Sequence, residues 1–103
     1  MYHILLTIFL VQATYSDLYH EGKMLLDKGD INGAEAVLTK SALLNADHVP
    51  TLKALAEIYA KSKRFPEAIN QYQRIIQMNP SDSEARGRLA ELYSWVGNND
   101  KAI

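Results

Sequence analysis

The feature that most constrains this chain is a recurrence of residue sizes at a spacing of 34 positions. Gly22, Ala56 and Ala90 fall in register, as do Leu25, Tyr59 and Tyr93, and Ala34, Ala68 and Ala102. Leu38 falls on Tyr72, Leu55 on Leu89, Ala46 on Pro80, and Gly29 on Gly97 with Lys63 between them. Compact residues meet compact ones and bulky residues meet bulky ones. A joint register over most of the chain marks a repeated supersecondary unit that buries its apolar face against its neighbours.

Each unit reads as two helices. Over 49–62 the apolar residues Leu52, Leu55, Ala56, Ile58 and Tyr59 form a stripe of helical period. Pro50 sits near the start, where a missing N–H costs nothing. A second helix is expected from Pro66 to about Met78, with Ala68, Ile69, Tyr72, Ile75 and Ile76 on one face, and Pro80 stopping it. Ser81 or Asp82 then caps the next helix. Linkers of a few residues make the paired helices antiparallel, and no segment alternates with the period of a strand. Ala56 and Ala68 are expected where the two helices approach closely, with Tyr59 and Tyr72 filling wider gaps; a larger side chain at the alanines would overpack the contact at a cost of about 1–3 kcal/mol. Gly29 and Gly97 are expected in turns between helices.

These residues resemble the tetratricopeptide repeat family, whose units read as a bulky residue, Leu-Gly or Leu-Ala, Tyr, then Ala, an aromatic and Pro at set spacings. The second unit carries Leu52, Leu55, Ala56, Tyr59, Ala68, Tyr72 and Pro80; the third carries Leu89, Ala90, Tyr93, Gly97 and Ala102. The first has Leu18, Gly22, Leu25, Gly29, Ala34 and Leu38, but Glu21 replaces the usual Leu and Ala46 the usual Pro. The resemblance implies an all-α solenoid of antiparallel helix pairs in a right-handed superhelix, with about two and a half units spanning 15–48, 49–82 and 83–103. The third unit stops one turn into its second helix. Leu89, Leu92, Tyr93 and Val96 then lack half their cover, which points to a longer protein or to self-association through that edge.

The resemblance also implies a concave groove lined by the first helix of each unit. On this chain the groove residues are Tyr19, His20, Lys23, Lys53, Glu57, Arg88, Glu91 and Trp95. Their mixed charges and terminal aromatics suit an extended peptide or a partner helix, so a protein-binding scaffold is the expected function. A family use as a clamp for chaperone C-terminal carboxylates does not carry over. The matching positions hold Tyr19, Lys23, Ala54, Glu84 and Arg88; of these only Arg88 fits, and Glu84 would repel a carboxylate. Trp95 reads either as an anchor for a partner or as packing against a further repeat. The stretch LYSWVGNNDKAI also resembles repeats of bacterial envelope proteins that assist exopolysaccharide export.

Other function classes find little support. A net charge of −1 gives no footprint for nucleic acid, and the tyrosines that could stack bases fall largely on repeat core positions. No cysteine is present, which excludes disulfides, thiolate–zinc sites and thiol catalysis. His3, His20 and His48 make no metal-ligand spacing, no glycine loop cradles phosphate, and Glu57 and Glu91 stand one repeat apart. No cofactor, metal, small-molecule substrate or catalytic residue is therefore expected. Residues 1–13 are a separate question. The run MYHILLTIFLV is apolar on all sides and too short to span a bilayer, which needs roughly 20 residues. With Val11-Gln12-Ala13 it reads as a signal peptide cleaved after Ala13, despite having no Lys or Arg; the alternatives are a buried half of an upstream helix pair and, against its length, an uncleaved membrane anchor. The expected location is periplasmic or secreted, with a cytoplasmic adaptor or the binding arm of a larger enzyme or transport component as alternatives.

Overall fold

The computed structural model describes residues 13–102, with side chains through Gly97. The signal-peptide reading of residues 1–13 falls almost wholly outside them. Among the described residues five helices follow one another: α1 (Tyr15–Asp27), α2 (Ile31–Leu44), α3 (Val49–Lys61), α4 (Phe65–Met78) and α5 (Ser83–Ala102). Among the described residues there is no strand, and no helix is long and apolar enough to cross a membrane. The chain divides between Asn45 and Ala46 into two compact units. Consecutive helices pack as pairs joined by short turns, as in an all-α helical-repeat solenoid.

In the first unit, Thr14 caps α1 with a reciprocal pair of bonds. The Asp17 N–H donates to Thr14 Oγ1 at 3.1 Å, and the Thr14 N–H donates to Asp17 Oδ2 at 3.2 Å. Two donors that the first turn would leave unpaired are thereby satisfied. α1 packs on α2 where Gly22 meets Leu38. A Cβ at Gly22 would lie 2.6 Å from the Leu38 side chain, so any larger residue there would force Leu38 to shift. Ala34 and Leu38 are fully buried behind it. Ser41 is buried too, and its hydroxyl donates to the Tyr15 carbonyl at 2.8 Å, which removes the cost of enclosing a polar atom.

In the second unit, Leu52, Ala56, Ala68, Tyr72, Ile75, Ala85 and Leu92 form one core drawn from α3, α4 and α5. Ala56 and Ala68 are both completely buried, as their register requires for close helix approach. Pro50 and Pro66 lie in the first turns of α3 and α4. Asp82, not Ser81, caps α5: its Oδ1 accepts the Ala85 N–H at 3.0 Å.

α1 and α3 end in the same way. The Asp30 N–H donates to the Leu25 carbonyl and the Gly29 N–H to the Leu26 carbonyl; Arg64 and Lys63 repeat this with Tyr59 and Ala60. This hydrogen-bond pair requires a left-handed residue at the turn, and Gly29 (φ 85°) and Lys63 (φ 61°) supply it. The turn expected at Gly97 does not form. Gly97 lies inside α5, which runs unbroken to Ala102. The earlier turns are held by long second helices packed back on the first. Gly97 does not take the left-handed backbone seen at Gly29 and Lys63, so the helical ladder continues through it. Of the four α5 residues expected to lack cover, one differs. Leu92 is buried, because it faces the α3–α4 core, whereas Leu89 and Val96 are half-buried and Tyr93 is 47% exposed.

Candidate functional site

The second unit contains a pocket of about 250 Å³ between α3 and α5, floored by α4. Its position follows from helical spacing. Glu57 precedes the end of α3 by one turn, and Ala60 and Lys61 lie on the same face at i+3 and i+4. Arg88, Glu91, Leu92 and Trp95 repeat that spacing on α5, and all of these line the pocket together with Tyr72 of α4. The walls are apolar where Ala60 of α3 and Leu92 of α5 stand. The Trp95 ring, 47% exposed, meets Phe65 edge to face at a centroid distance of 5.9 Å, which holds the indole beside the opening. Arg64 stacks over the Tyr59 ring at 4.7 Å, so the neighbouring helix end is closed by a cation on an aromatic face.

The charges are unevenly engaged. Arg88 and Glu91 stand 3.5 Å apart, both about half exposed. Glu57 is half-buried and joins no ion pair among the described residues. The Tyr72 phenol senses this arrangement. Its pKa is pushed up to about 12, by burial first and by the Glu57 carboxylate second, with Arg88 opposing and Glu84 and Glu91 adding to the rise.

Of the eight residues expected along a groove, the fold gathers Glu57, Arg88, Glu91 and Trp95 around this pocket. Lys53 does something else. Its ammonium lies 2.9 Å from Asp82 Oδ2 and 3.9 Å from Glu84, tying α3 to the N-terminus of α5. The Ala85 N–H and then Lys53 hold the Asp82 carboxyl below its ordinary range. Lys53 is therefore committed to a helix–helix clasp. Tyr19, His20 and Lys23 belong to the first unit, where the Tyr19 and His20 rings lie 5.4 Å apart in a tilted arrangement and His20 and Lys23 are exposed.

Four pocket residues, Ala60, Lys61, Tyr72 and Leu92, are not among the expected groove residues; Leu92 reads in the sequence as an apolar residue of the third unit. Ala60 and Lys61 follow from Glu57 by simple helical spacing, so that signal was present. Tyr72 was legible only as a core filler, and its role as pocket floor depends on how far α5 stands from α3. Comparison with known proteins adds one match. A family model for the tetratricopeptide repeat fits residues 25–76 and again 60–103. Comparison with curated proteins gives no match.

Proposed function

Because the chain belongs to the tetratricopeptide repeat family, whose repeats generally mediate protein–protein interaction as non-catalytic scaffolds, we propose that it binds an extended segment of a partner protein along α3 and α5 of its second unit. The observation that carries this reading is the pocket itself: four side chains of mixed charge and one exposed indole converge beside apolar Ala60 and Leu92. Contact sites of this composition, with an aromatic anchor beside a polar rim, concentrate binding energy on few residues. Selection of peptides from a displayed library, followed by amide shift mapping, tests it. Selected peptides are expected to move the signals of Glu57, Glu91 and Trp95, and Trp95→Ala is expected to weaken them by about tenfold or more. Peptides that map elsewhere, or a selection that yields none, would remove the reading.

The proposal includes a site of action outside the cytoplasm. What supports it is the meeting of two boundaries: the cleavage expected after Ala13 leaves Thr14 first, and Thr14 is the residue that caps α1. A terminal ammonium at Thr14 still donates to the Asp17 carboxylate, so processing leaves the cap intact. The likeness of the α5 segment to envelope export repeats points the same way. N-terminal sequencing of the mature protein is expected to begin at Thr14, and an intact Met1 would favour a cytoplasmic adaptor.

A further inference from the structure

The pocket beside Glu57 has a chemical preference of its own, and the argument for it rests on the peptide-binding reading above. At about 250 Å³ it is smaller than the roughly 300–1,000 Å³ of small-molecule sites and suits one side chain. Its apolar wall is Ala60 and Leu92, and its aromatic edge is Trp95. Glu57 is the decisive residue. It lines the pocket half-buried and joins no ion pair among the described residues, so a positive group brought there meets an unengaged carboxylate. We propose that this pocket receives a lysine or arginine side chain of the bound protein segment, with the stem on Ala60 and Leu92, the cation against the Trp95 ring, and its charge answered by Glu57.

Two resident cations stand against this and are outweighed. Arg88 is engaged with Glu91 at 3.5 Å, so that pair contributes little net charge. Lys61 also lines the pocket, but it is exposed at the rim, where solvent screens its charge. Three of the four charges acting on the Tyr72 phenol at the floor are carboxylates, with Glu57 the strongest, so the floor is acidic in its field. An anionic side chain would meet Glu57 directly. A purely aliphatic one would fill the wall but leave both the carboxylate and the indole face unused. A long basic side chain satisfies all three, since its stem is apolar and only its end is charged.

Trp95 is the only tryptophan, so its emission reports on this pocket alone. The test uses blocked pentapeptides acetyl-Ala-Leu-X-Leu-Ala-amide with X as arginine, lysine, norleucine or glutamate, titrated into the full chain. The arginine and lysine peptides are expected to shift Trp95 emission and to bind about tenfold tighter than the norleucine peptide, with the glutamate peptide weakest. Glu57→Gln, checked for unchanged helix content, is expected to erase most of that preference. High salt on the unaltered chain is expected to shrink it as well, which reads the same charge without a variant. Norleucine or glutamate peptides that bind as tightly as the basic ones, or a preference that survives both Glu57→Gln and salt, would overturn the basic-side-chain pocket and leave the groove standing. Failure of every peptide to perturb Trp95 would overturn both.

Discussion

The α1–α2 and α3–α4 pairs solve one packing problem with different side chains. In the first, Gly22 lets Leu38 press against the α1 backbone; in the second, Ala56 keeps its methyl and faces the larger Tyr72. At the next matched position, Ser41 is buried with its hydroxyl bonded to the Tyr15 carbonyl, whereas Ile75 fills the space with hydrocarbon. The left-handed turn residue is glycine in one pair and lysine in the other. The lesson is that the repeat conserves geometry, not chemistry. Each position asks for a given reach between two backbones, and several residue combinations meet it.

Four experiments break or sharpen that comparison, and urea unfolding midpoints read all of them. The largest effect is expected at the core centres: Tyr72→Ala should cost about 3–5 kcal/mol and Leu38→Ala about 2–5 kcal/mol, each leaving a cavity where its partner helix cannot collapse. Equal tolerance of both would mean the pairs are not held at these points. Next is alkaline pH. The Tyr72 phenol is raised from 10.0 to about 12 in the folded state, so the unfolded chain loses its proton first. The stability linked to this group is complete below pH 10 and falls as pH rises toward 12, by on the order of 2 kcal/mol, and Tyr72→Phe should abolish that fall. The first pair has no such phenol at Leu38.

Smaller effects test the close approach and the turn. Gly22→Ala gains helix propensity but drives a methyl into Leu38, for a net loss of about 1–2 kcal/mol. Combining it with Leu38→Ala should cost less than the sum of the two, because the second change makes room. Strict additivity would show that the two side chains do not meet. Last, Lys63→Gly should stabilise the second unit by about 0.5–1 kcal/mol, since a lysine at φ 61° carries a steric cost that glycine avoids. Gly29→Ala should do the reverse in the first unit.

The Lys53–Asp82 clasp changes how binding experiments should be designed. A charge reversal at Lys53 would set two carboxylates against each other at the N-terminus of α5, and any loss of partner would then report on stability as much as on contact. Glu57 and Trp95 are cleaner probes, because both are partly exposed and neither joins an ion pair among the described residues.

Much of this protein was decided by local chemistry. Recurring Ala and Gly with bulky partners set the repeat, first-turn prolines and Pro80 set where helices of the second unit start and stop, and the burial of Ala34, Ala56 and Ala68 follows from size alone. Such features are legible in a sequence because each depends on a residue's own volume or backbone freedom. Three others were settled only when helices met. Lys53, expected along the groove, pairs with Asp82 of another element, a contact that spacing along α3 does not reveal. Gly97 stayed in α5, without the left-handed backbone that ends the helices at Gly29 and Lys63. Tyr72 became a pocket floor, and Glu57 stayed unpaired beside it, because distances between helices, and not spacings along one, determine which charges and surfaces face each other.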